Sequence, residues 1–242
     1  MRPITAVIAG LIAISGASAA TEPPISDLGS AASRTGLEAA CKETACRPEQ
    51  DISQKLGGGR SVSWHAPASP YVDKNGALYV LPGEMLVFHV EVKEGERVAP
   101  VFLRSEPPPP PGDVSLLNDQ ERKNAAADKD NEVAMAQAFA DWHASKNMRD
   151  RLKDAPPDTL FVYYRQIPNG ASMILETGHN LEGTLKFDAS IGRFGRQLFV
   201  YEHSSTCGAI SGLGSLETWP YPLGPILLGN FRLLPGKVAT CE

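Results

Sequence analysis

Met85-Leu86-Val87-Phe88-His89-Val90-Glu91-Val92 is the stretch on which the reading of the fold turns. Leu86, Phe88, Val90 and Val92 alternate with Val87, His89 and Glu91. That period of two marks a β-strand with one face on a core and one in water. Turn-forming residues bound it on both sides, Leu81-Pro82-Gly83-Glu84 before and Lys93-Glu94-Gly95-Glu96 after. Upstream, Asp73-Lys74-Asn75-Gly76 holds an Asn-Gly pair, because a type I′ turn needs positive φ at both central residues. It is expected to join Tyr71-Val72 to Leu78-Tyr79-Val80 as a hairpin.

Downstream, Pro107 to Pro111 is an unbroken proline run that cannot donate ladder hydrogen bonds and stiffens into a spacer. From Asn118 to Asp154 the chain contains no Gly or Pro and is dense in Ala, Asp, Glu, Lys, Arg and Gln, which is helix-forming material. One helix is expected from about Asp130 to Asp154, with a looser one before it, ended by Pro156-Pro157. Strand patterns then return in Thr159 to Gln166, Ser172 to Glu176, Thr184 to Ala189, Gln197 to Glu202 and Pro225 to Leu233. Short strands at this spacing make the chain mainly β: a β-sandwich, immunoglobulin-like in general shape, with an α-helical insertion. Residues 37–106 would form the first β segment, 107–157 the proline linker and helical insertion, and 158–242 the second β segment of the same sandwich. A two-domain reading would need the first segment to bury a core of its own, which at about 65 residues is marginal without staples.

The N-terminus reads as an export signal, with Arg2, an apolar run from Ile4 to Ile14 and Ala17-Ser18-Ala19 at the cleavage point. Residues 1–19 are therefore expected to be a signal peptide and residues 20–36 a flexible leader. No later stretch is long and apolar enough for a membrane span. Export places the protein in the periplasm or outside the cell, where Cys41, Cys46, Cys207 and Cys241 oxidise. Three pairings of four cysteines exist; Cys41 with Cys46 and Cys207 with Cys241 is the expectation. The net charge of -5 argues against nucleic acid and anionic lipid as partners and favours neutral or basic ones.

Signatures of chemistry are missing or broken. The five histidines show no paired spacing of the kind zinc proteases or strand-borne metal ligands use, so no metal and no cofactor is expected. Gly212-Leu213-Gly214-Ser215-Leu216 breaks the nucleophile elbow of serine hydrolases. Gly57-Gly58-Gly59-Arg60 lacks the Lys-Ser/Thr of a phosphate loop and reads as a flexible turn. Asp188, Glu202 and Glu217 are the carboxylates that could act together from separate strands in a hydrolase. Phe139 and Trp142 on the insertion read as core residues at helical spacing.

The most distinctive run is Glu217-Thr218-Trp219-Pro220-Tyr221-Pro222-Leu223-Gly224-Pro225, continued by Asn230-Phe231-Arg232. Prolines alternating with aromatics form a stiff ledge. Trp219, Tyr221 and Arg232 are its candidate binding residues, for a glycan or a peptide; the plainer reading is a loop covering the end of the sandwich. With Gly76 to Glu84, the N-terminal cysteine pair and Thr206-Cys207, this run resembles a family of small exported bacterial proteins of uncharacterised function. That resemblance implies an exported β-rich domain and carries no catalytic residue. The expected function is thus non-enzymatic binding of an envelope or extracellular protein or glycan. A secreted hydrolase and an inhibitor of a secreted enzyme are the alternatives.

Overall fold

The structure is a computed structural model that describes residues 39–93, 97–127, 132–144, 146–167, 170–195, 198–237 and 241, helix side chains 134, 142, 144 and 146–149 excepted. The expected signal peptide, the whole of the expected leader and the side chain of Trp142 lie outside the described residues.

The chain is mainly β, with several sheets. β1 (Cys46–Arg47) pairs with β4 (Ser69–Pro70), and β2 (Gln50–Gly57) with β3 (Arg60–Ala66). β5 (Leu78–Val80), β10 (Thr184–Gly195), β11 (Leu198–Ser204) and β14 (Ile226–Leu234) form a sheet in the order β11-β10-β14-β5, with β12 (Ala209–Ile210) added on β10. β6 (Glu84–Val92), β7 (Val98–Glu106), β8 (Thr159–Gln166), β9 (Met173–His179) and β13 (Ser215–Trp219) form the other, ordered β13-β9-β8-β6-β7. Between β7 and β8 lie, among the described residues, α1 (Asp119–Ala127), α2 (Glu132–Ala144) and α3 (Lys146–Asp154), where one helix from about Asp130 to Asp154 and a looser one before it were expected.

Both large sheets feed one core. Leu86, Phe88, Leu160, Val162, Tyr164 and Leu175 come from one; Leu78, Val80, Leu185, Phe187, Ile226 and Leu228 come from the other. The sheets therefore face each other across shared apolar side chains, a sandwich-like arrangement.

The strand quoted at the outset departs from its expected pattern. Leu86, Phe88 and Val90 do face the shared core, but Met85 and Val87 on the opposite face are buried too, and Val92 is exposed. Met85 and Val87 form a second cluster with Phe161, Tyr163 and Leu152 of α3. The helices lie over part of the outer face of this sheet and keep it dry at Val87, while His89 is half-buried and Glu91 stays in water as expected. Each side chain so covered contributes about 1.5–3 kcal/mol relative to exposure.

A buried ionic group fastens the cover. Arg165 on β8 bonds Asp141 Oδ2 of α2 at 2.6 Å and Glu176 Oε1 of β9 at 3.1 Å. Asp141 Oδ1 also accepts from Gly112 N and from Gln137 Nε2, both at 2.7 Å. Gly112 is needed there, because a Cβ would sit 2.0 Å from Ala140 O.

The two turns exchange roles relative to expectation. Asn75 has negative φ and only Gly76 is left-handed, so Asp73 to Ala77 is a wider turn held by Asp73 Oδ1 accepting from Asn75 N and Ala77 N. The tight hairpin turn is Gly58-Gly59, both left-handed, which joins β2 to β3. β2 itself was unforeseen; its Ile52 joins Trp64 and Leu81 in a small cluster of its own.

Candidate functional site

The expected C-terminal ledge divides among three places. Trp219 is buried in the core, edge-on to Tyr164, with Nε1 donating to Ser204 Oγ at 3.1 Å. Tyr221 is half-buried beneath the guanidinium of Arg193, 5.0 Å from its ring centroid. Arg232 is half-exposed on the outer face of the second sheet, paired with Asp188 at 3.1 Å. Lys186 opposes Arg232 across the strands, and Arg193 lies seven residues further along β10. That puts Tyr221 and Arg232 about 20 Å apart at the usual strand rise. The three residues do not make one platform.

Each candidate carboxylate has its own partner. Burial works to raise the Asp188 carboxyl, but hydrogen bonds from Asn230 and Arg232 outweigh it and hold the group below its ordinary value. Asn230, left-handed at the bulge in β14, is what turns these two side chains toward Asp188. Glu202 pairs with Arg193 at 3.1 Å on the exposed surface. Burial raises Glu217 above the usual carboxylate range despite the Cys207 N–H at 2.6 Å and the nearby charge of Lys186.

The disulfides join Cys41 to Cys46 and Cys207 to Cys241. The first closes a small loop that is one wall of a surface pocket of about 300 Å3. Thr44 and Ala45 from this loop, with Val72 and Asp73, face Pro100, Val101 and Phe102 of β7. Arg47, the residue after the disulfide, anchors that wall. It is 1 % exposed and donates from Nε to Glu84 Oε1 at 2.7 Å, from Nη1 to Ser69 Oγ at 3.1 Å and from Nη2 to Tyr79 O. Its guanidinium also lies over the rings of Tyr71 and Tyr79, at 4.6 and 5.2 Å. Tyr71 stacks in turn on Phe102, with ring centroids 3.8 Å apart, and so ties the two walls together.

β7 is the edge of its sheet, and Val101 and Leu103 on it are 41 % and 47 % exposed. Sequence reasoning missed this site because its walls lie about 30 to 60 residues apart in the chain. The one local signal was Pro100 within a strand, which marks an edge.

What the pocket offers is concave apolar surface with one charged side chain, Asp73, at its rim. Among the described residues no cluster of His, Cys, Asp and Glu is suited to a metal ion, and no helix is long and apolar enough to cross a membrane. No family model matches the chain, and no match was found among curated proteins or among solved structures.

Proposed function

We propose that the protein is an exported binding domain, immunoglobulin-like in general shape, that holds another envelope or extracellular component, protein or glycan, without transforming it. The observation that carries this reading is the pocket at the edge of β7, with Val101 and Leu103 left in water beside it. Single exposed apolar residues are ordinary, whereas a pair on an edge strand next to a concave wall is what a partner covers. Two disulfides and the export signal support a periplasmic or secreted setting. Segments 37–106 and 158–242 act in this reading as one sandwich, and Tyr221 and Arg232, about 20 Å apart, are two separate further points of contact.

The test is capture from an envelope extract by the immobilised mature chain. The V101E/L103E variant is expected to fold normally and to lose the captured component. Capture that survives both charges removes the pocket from the account.

A hydrolase using carboxylates from separate strands is the second reading: burial raises Glu217, while at Asp188 burial is outweighed by Asn230 and Arg232, which lower it, the opposed directions an acid and a base would need. Hydrolysis of chromogenic glycosides that disappears in E217Q would establish it. Blocking of a secreted enzyme is the binding reading with an enzyme as partner.

A further inference from the structure

We infer that β7 takes an extended peptide segment of another protein as an added strand, paired at Phe102, with one peptide side chain seated in the pocket. The inference rests on the binding reading above and specifies its partner.

Main-chain direction on β7 follows from the ladder. Lys93 N–H donates to Arg97 O at 2.9 Å, so these two form a hydrogen-bonded pair. Antiparallel pairs alternate, which makes Glu91 with Ala99 and His89 with Val101 the next bonded pairs. Val90, opposite Pro100, accordingly sends its N–H the other way, to Asp158 O at 2.7 Å. The polar groups of Val98, Pro100 and Phe102 thus point away from β6. Near Val98, Arg97 already bridges to Arg232 of β14. What is left is the C=O of Pro100 and both the N–H and C=O of Phe102, and none of the three meets a partner among the described residues. Both residues line the pocket. Free main-chain donors and acceptors in register are met by another main chain.

A second copy of this chain fits poorly. Two β7 strands related by a dyad at Phe102 would set each Pro100 opposite Arg104 of the other copy. Pro100 has no N–H to give, and the bulge between Phe102 and Arg104 turns Arg104 out of register. A symmetric pairing therefore fails on both sides of its centre. A separate peptide carries no bulge, and it can use all three groups. With Asp73 as the only charged lining residue among those described and a net charge of -5, the peptide is uncharged or basic.

The probe is a random linear heptapeptide library on phage, selected on the mature chain, with the selected peptides resynthesised. N-methylation of the peptide residue opposite Phe102 is expected to weaken binding tenfold or more, while methylation one position either side changes it less than twofold. P100A, which adds the missing edge donor, should tighten binding about 2- to 10-fold, the worth of one net hydrogen bond. V101E should abolish it. A flat methylation scan overturns strand addition; if V101E still removes binding, the pocket remains a binding site of another kind. A library with no V101E-sensitive peptide overturns the peptide partner, and capture from envelope extract then judges the binding reading separately.

Discussion

Replacing Arg47 by Met should cost about 4 kcal/mol of stability, a figure that follows from what the guanidinium touches. Arg47 is buried, pairs with Glu84 at 2.7 Å and bonds Ser69 and the Tyr79 carbonyl. Removing one partner of a buried pair costs about 3–5 kcal/mol because the other charge is left without compensation. The two further acceptors left without a donor push toward the upper end. One effect works the other way. Burial already raises the Glu84 carboxyl despite Arg47, so without Arg47 it takes up a proton and keeps the Leu81 N–H bond at 2.8 Å. A loss of about 4 kcal/mol is a large share of the 5–15 kcal/mol typical of a domain.

The assay is urea unfolding followed by tryptophan fluorescence. At an m-value of about 2 kcal/mol/M the midpoint should fall by about 2 M. The double variant R47M/E84Q removes both charges and should cost clearly less than the two single losses added together, by about 1.5 kcal/mol. The R47M loss should also grow as the pH rises above about 4.5, because a carboxyl whose folded value is raised contributes stability at low pH that disappears as it ionises. A single-variant loss below about 1 kcal/mol, or additive losses in the cycle, would refute the reasoning. Weakened peptide capture by R47M at low urea is the functional corollary, since Arg47 holds one pocket wall.

Three further outcomes are expected. D141A should release the helical cover: amide exchange in α2 and α3 rises while β8 keeps its protection, since Arg165 retains Glu176. His179 is fully buried, with Nε2 donating to Ala209 O at 2.6 Å and Nδ1 without a partner among the described residues, and burial lowers its pKa. Protonation then belongs to the unfolded chain, so the unfolding free energy from urea titration should drop as pH falls below about 6.5, by up to about 1.4 kcal/mol per pH unit; H179Q should flatten that part of the curve. Replacing Cys207 and Cys241 together by Ser should cost up to about 4 kcal/mol, against about 2 for Cys41 and Cys46, in the chain-entropy account; thermal midpoints in the reverse order would contradict it.

The sequence was most legible where structure is local. β8 begins and ends at Thr159 and Gln166, as its run of β-branched and aromatic residues and flanking turns indicate. Cysteine spacing and context led to the pairing that is found. What escaped was settled by residues far away in the chain. The wet face assigned to Val87, His89 and Glu91 holds at Glu91 but is dry at Val87, because α3 arrives from more than 60 residues downstream and covers it together with Met85. Trp219, read as part of a ledge, is drawn into the core by Tyr164 and Ser204 on other strands. Asn75-Gly76 has the dipeptide of a tight hairpin, yet the Asp73 carboxylate captures two backbone N–H groups and holds a wider turn instead. The pocket at β7 is made by a disulfide loop and a strand whose apposition no local pattern announces.

The route of the chain over the sheet sets a lower limit on its own length. β7 and β8 both run antiparallel to β6, and so parallel to each other, with Glu106 opposite Met85 and Thr159 opposite His89. The chain must step back four residues, about 13 Å, and sideways two strand spacings, about 10 Å, while arching over the side chains between. No tight turn can do that; a dozen or so residues are the least that can. The helices are therefore a handle bolted to the sandwich at two fixed points. Its grip can be lengthened, trimmed or re-clothed over generations with the strands left untouched, provided something apolar still rests on Met85 and Val87.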